Sequence, residues 1–266
     1  MRPLLRSTVL MALAMPFLAA QTPSSKGSRE ILAHARAAYY NLRDRGLISY
    51  RSTMEPDWEG VLAEVRKKDP DSANRALNLL EAIHFKLQLG ADDSVKLTHD
   101  EVQTQNEKAS EGLSQVYGGA EQLVQGFFQT WSPFMLHPPL PDPGSDYEMV
   151  LQGDQIQIRY KDGDASVVTT LARKGFRISS MKITTASFDS LLQPQFEDSP
   201  GGLVLVGYQG DYQSGNAAET THLQIGIRYQ EVQALKLPSQ LTVNGSYGGT
   251  PFELTVRFSD FQPVLK

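Results

Sequence analysis

The chain of 266 residues contains no cysteine. That single absence removes disulfides, thiolate metal sites and cysteine nucleophiles together. Histidine is scarce and scattered: His34, His84, His99, His137 and His222 include no two spaced as a local metal pair, and no His-Glu-x-x-His occurs. The Gly-x-Ser-x-Gly elbow, the phosphate-binding glycine loop and the dinucleotide fingerprint are missing as well. A surplus of cations is also lacking, since 25 Lys and Arg face 30 Asp and Glu for a formal charge of −5. Nucleic-acid binding needs clustered Lys and Arg against phosphates, so it is not expected here. The densest basic cluster, Arg66-Lys67-Lys68, is bounded by Glu64 and Asp69 and suits a solvated helix end. The composition points to no cofactor and no metal.

What is present begins with an address. Arg2 and Arg6 precede the apolar run Val9-Leu10-Met11-Ala12-Leu13-Ala14, and Phe17-Leu18-Ala19-Ala20 ends in small residues before Gln21. That layout predicts a signal peptide over residues 1–20, cleaved after Ala20. As a membrane span it falls short of roughly 20 apolar residues, and Pro16 interrupts it. No membrane span is expected after cleavage, and Gln21 stands where a bacterial lipoprotein has its lipidated cysteine. The chain reads as exported, periplasmic or secreted, with a bacterial envelope as the default setting. With no disulfide available, its stability must come from a packed core.

Residues 21–26 are polar and small, a disordered lead. Helical spacing dominates residues 27–144. Ser28 caps a first helix carrying Ile31, Leu32, Ala35, Tyr39 and Leu42, and Gly46 ends it. A strand follows over 47–54. Asp57 opens a second helix through Trp58, Val61, Leu62 and Val65 as far as Pro70, and Asp71 or Ser72 opens a third. Ile83, Phe85, Leu87 and Leu89 then alternate with polar neighbours, and Gly90-Ala91-Asp92-Asp93 turns the chain towards Val95 and Leu97, predicting a hairpin. Residues 101–131 form the longest helical pattern, with a kink or break expected at Gly118-Gly119. Past the proline-rich run His137-Pro138-Pro139-Leu140-Pro141, nearly everything from 145 to 266 alternates between explicit turns, among them Asp162-Gly163-Asp164, Ser214-Gly215-Asn216 and Gly248-Gly249. Strands are expected near 147–152, 155–160, 165–171, 176–185, 203–212, 220–230, 237–247 and 252–260. Such short gaps demand antiparallel neighbours.

The predicted class is α+β: a mostly helical N-terminal part packed on a large curved, open-barrel-like antiparallel sheet. Whether residues 27–144 and 145–266 are two domains or one is open, since the hairpin near 83–99 can join the larger sheet. The segment Phe127-Phe128-Gln129-Thr130-Trp131-Ser132-Pro133-Phe134-Met135-Leu136 is too apolar for an exposed linker. It packs where the long helix crosses the sheet, or it roofs an apolar cavity. On the second reading Phe127, Phe128, Trp131, Phe134, Met135 and Leu136 are the ligand-binding residues, because large aromatics and Met make good walls for an acyl chain.

The phrase Ile225-Gly226-Ile227-Arg228-Tyr229-Gln230-Glu231-Val232, followed by Leu237-Pro238 and Leu241-Thr242-Val243, resembles late strands of the LolA-like group of periplasmic lipoprotein carriers. The opening run Ile31-Leu32-Ala33-His34-Ala35-Arg36-Ala37-Ala38-Tyr39 is similar to that group's first helix. The resemblance covers about a fifth of the chain, which also has an extra helical stretch around 57–82. It implies apolar-ligand binding between an open barrel and helices, and it carries over no catalytic residue. The leading expectation is non-enzymatic binding or carriage of a lipid or other hydrophobic ligand in the envelope. An envelope protein partner docking on an apolar patch is the alternative, and a hydrolase assembled from distant residues ranks third.

Overall fold

The computed structural model describes residues 22–214, 220–247 and 250–266. The predicted signal peptide and the expected turns at Gly215-Asn216 and Gly248-Gly249 lie outside them. Five helices and twelve strands alternate along the described chain. In order they are α1 (Ser25–Ala37), β1 (Leu47–Pro56), α2 (Trp58–Val61), α3 (Ala63–Lys68), α4 (Pro70–Leu80), β2 (Phe85–Leu89), β3 (Val95–His99) and α5 (Glu107–Met135). The remainder is strand: β4 (Tyr147–Gln152), β5 (Gln155–Asp162), β6 (Ala165–Ala172), β7 (Ile178–Thr184), β8 (Phe188–Ser199), β9 (Gly202–Ser214), β10 (Thr220–Val232), β11 (Leu235–Tyr247) and β12 (Thr250–Leu265).

All twelve strands join one antiparallel sheet in the order β3-β2-β1-β12-β11-β10-β9-β8-β7-β6-β5-β4. From β4 to β12 it is a plain meander, as the short turns demand. The last strand then pairs with the first, Met54 opposite Phe258 and Tyr50 opposite Pro263, and β2 and β3 extend the sheet beyond β1. A mostly helical N-terminal part is therefore not supported: 27% of the structure is helix against 48% strand, and β1–β3 build one end of the same sheet. The hairpin near 83–99 does join it.

Local chemistry sets the helix ends. Ser24 caps α1, its Oγ accepting from the Gly27 N–H at 3.2 Å. The helix thus takes up Ser25 and Lys26, which the composition had assigned to a disordered lead, and Ser28 is buried inside it. Asp69 caps α4 by accepting from the Ser72 N–H at 3.0 Å, with Pro70 in the first turn where no N–H is needed. Asn106 caps α5, whose first residue is Glu107 rather than one near 101. The helix runs unbroken through Gly118 and Gly119. Both face solvent with no atom within 4 Å of where a Cβ would lie, while Leu113, Ala120 and Val124 on the opposite face are buried and hold the helix to the sheet.

The sheet must curl, because α5 packs on both β3 and β9. One cleft, moreover, is lined by Val95 of β3 and Val167 of β6 together. Those strands are nine neighbours apart in the sheet, about 43 Å if it were flat. Register shifts between β1 and β12, β6 and β7, β8 and β9, and β10 and β11 supply the bends. The inward residues of the curled sheet and the apolar face of α5 form one continuous core.

Candidate functional site

The aromatic end of α5 lies against the inner face of the sheet. Phe127, Phe128, Trp131, Phe134, Met135 and Leu136 are all buried, none more than 4% exposed. Phe127 and Phe128 meet edge to face at 5.0 Å between ring centroids, Phe128 and Trp131 likewise at 5.3 Å, and Phe134 lies 5.9 Å from Phe196 of β8. The Trp131 Nε1–H donates to the Tyr229 hydroxyl at 3.0 Å, and that hydroxyl donates to the Leu205 carbonyl at 2.5 Å. This chain fixes the helix over β9 and β10, and burial pushes the Tyr229 phenol well above its ordinary pKa. Trp131 is therefore fully buried between α5 and the sheet and does not line the open space.

That space is a cleft of about 790 Å³ at the seam where the two ends of the sheet approach each other. Of the six residues expected to bind ligand, Phe128 alone lines it; the other five pack elsewhere in the core. The sheet supplies an apolar wall of Val167, Met181 and Ile183. The helix supplies Gln125, Gln129 and Ser132, four and three residues apart and so on one face, and the link to β4 supplies Pro138, Pro139 and Leu140. Arg36 of α1 holds that link in place: its Nη1 donates to the carbonyls of Leu140 and Pro141, the latter at 2.8 Å, and its Nη2 lies 3.9 Å from the Asp142 carboxylate.

The mouth is tied by residues far apart in sequence. Asp93, in the turn between β2 and β3, accepts on Oδ1 from the Arg43 guanidinium, with Nε at 3.0 Å. Its Oδ2 lies 2.5 Å from His137 Nε2. Arg43 also donates to the carbonyls of Leu47, Ile48 and Gly90. Desolvation alone would raise the Asp93 pKa, but hydrogen bonds from Arg43 and His137 outweigh it and hold the carboxyl below its usual range. Asp93 sits at φ 63°, a left-handed conformation that Asp tolerates in turns. His137 opens the proline-rich run that follows α5, and nothing in the sequence links it to Asp93 and Arg43.

Among the described residues no group of three or more His, Asp or Glu is placed to hold a metal, and no helix is long and apolar enough to cross a membrane. Comparison with protein-family models, curated proteins and solved structures gives no match to this chain.

Proposed function

We propose that the chain is an exported, non-enzymatic binding protein for a hydrophobic or amphiphilic ligand, and that the cleft beside Phe128 is where the ligand lies. The observation that carries this reading is the cleft itself. A space of about 790 Å³ falls in the range of small-molecule sites, and its floor is the inner face of β6 and β7 together with Phe128. Water in such a space gains little from Val167, Met181 and Ile183, whereas an alkyl chain laid on them gains about 0.8 kcal/mol per buried methylene. A kinship with LolA-like carriers belongs to the same proposal. A curled antiparallel sheet with helices on its inner face supports it in outline, and Trp131, buried between α5 and the sheet, distinguishes this chain from a fully hollow barrel.

The test is binding of N-phenyl-1-naphthylamine, an uncharged dye that fluoresces in apolar surroundings, to the chain from Gln21 onwards. Saturable binding of one dye per chain is expected. Ser132→Trp, placed on the helix wall where it plugs the cleft without entering the core, should weaken it at least tenfold at unchanged melting temperature. Binding that Ser132→Trp leaves untouched, or no binding at all, would refute the assignment.

A further inference from the structure

We propose that the ligand's polar part is uncharged, a hydroxyl- or amide-bearing head and neither a carboxylate nor a phosphate; this rests on the cleft being the ligand site. The argument is the balance of charges around the mouth. Among the described residues three carboxylates line the cleft, Asp93, Asp142 and Asp162, together with the ammonium of Lys161 and the His137 imidazole, whose Nε2 lies 2.5 Å from Asp93 Oδ2. Two of the carboxylates are already engaged from behind, Asp93 by Arg43 and Asp142 by Arg36. Lys161 donates to the Ser166 hydroxyl at 2.6 Å, so its ammonium is already hydrogen-bonded on its own hairpin, with Asp162 the next residue of β5.

An anionic head entering here finds no uncommitted cation among the described residues, since Arg43 and Arg36 are taken by Asp93 and Asp142 and Lys161 by Ser166, and it leaves water without a partner of its own. A cationic head must compete with Arg43 for Asp93 or with Arg36 for Asp142, and at Asp162 it approaches the ammonium of Lys161, which lines the same cleft. An uncharged head meets neither obstacle. The helix wall offers it the Gln129 amide and the Ser132 hydroxyl, which both donate and accept. These two polar residues lie on the same face of α5 as Phe128, so a ligand with its chain on the sheet turns its polar edge to the helix.

The experiment is displacement of bound N-phenyl-1-naphthylamine at about pH 8, where a free carboxylic acid is ionised. Three competitors share one dodecyl-length chain: monododecanoylglycerol, dodecanoate and dodecyltrimethylammonium, each below its micelle concentration. The glyceride should displace the dye at a concentration at least tenfold lower than either ion. Gln129→Leu should erase most of that advantage, bringing the glyceride's displacing concentration, corrected for the variant's own dye affinity, close to that of the two ions. Dodecanoate or the ammonium ion displacing as well as the glyceride would overturn the uncharged-head assignment and leave the cleft assignment standing. Equal potency of the glyceride on Gln129→Leu and the unaltered chain would overturn the role of the helix wall. Failure of the dye itself to bind would bring down both.

Discussion

Two buried tyrosine hydroxyls show how the same chemistry acquires opposite value. Tyr229 links the Trp131 indole to the Leu205 carbonyl. Tyr229→Phe strands both partners in a dry core and should cost about 1–3 kcal/mol, read as a fall in the urea midpoint at constant slope. Tyr50 is more deeply buried, beside Phe261, but its hydroxyl has no partner among the described residues. Tyr50→Phe should therefore change stability by less than about 0.5 kcal/mol or raise it, since the desolvated hydroxyl is already a liability. Asp93 gives the pH counterpart. Its pKa is lowered in the fold, so its contribution is complete above the unfolded carboxylate value of about 4 and is lost as pH falls through the lower folded one. Asp93→Asn should lower stability at neutral pH and flatten that acid limb, measured as urea midpoints between about pH 3 and 7. None of these roles is written in the residues themselves. Asp93, Arg43 and His137 are 50 and 44 positions apart where they touch, and only the fold makes them neighbours.

Elements were legible wherever one period ran without interruption. The strands of the second half follow the alternation closely, and so does the 83–99 hairpin. The exception is β8, which the sequence did not announce. Its inward residues run Ser190, Leu192, Pro194 and Phe196, a pattern that breaks the apolar alternation, and a proline argues against an interior strand. The sheet accommodates it beside a register shift at Gln195 and Phe196. Helix α5 erred in the other direction: glycines signalled a break that does not occur, because propensity is a weak prior against a buried face such as Leu113, Ala120, Val124 and Phe127. The glycines remain a latent instability. A Cβ at Gly112, Gly119 or Gly126 meets nothing within 4 Å, so each Gly→Ala substitution should stabilise the protein by up to about 1 kcal/mol, with the double Gly112→Ala, Gly119→Ala variant close to additive in thermal melts. A destabilised variant would mean that these positions touch something when the protein is folded in solution.

At the scale of the whole molecule, the sequence divides where the structure does not. Composition changes at the proline-rich link, and residues 145–266 alone contain nine consecutive antiparallel strands. Yet the core of those strands is completed by the other half. The last strand, β12, is paired by β1 along most of its length, and the inner face of β8–β10 is covered by Trp131 and Phe134. The cleft, too, is built from both halves, its floor from β6 and β7 and its opposite wall from α5 and the β2–β3 turn. Removing residues 22–144 would expose an apolar sheet face and an unpaired β12 edge, a template for aggregation. The fragment 145–266 expressed by itself should thus fail to give a cooperative urea transition, while adding the separate fragment 21–144 should restore both the transition and dye binding. A sheet fragment that unfolds cooperatively alone would establish it as an independent domain, and the cleft would then have to be a joint between two folded units. The topology argues against that outcome: a meander closed by its own first strand cannot finish its core until both ends of the chain have met.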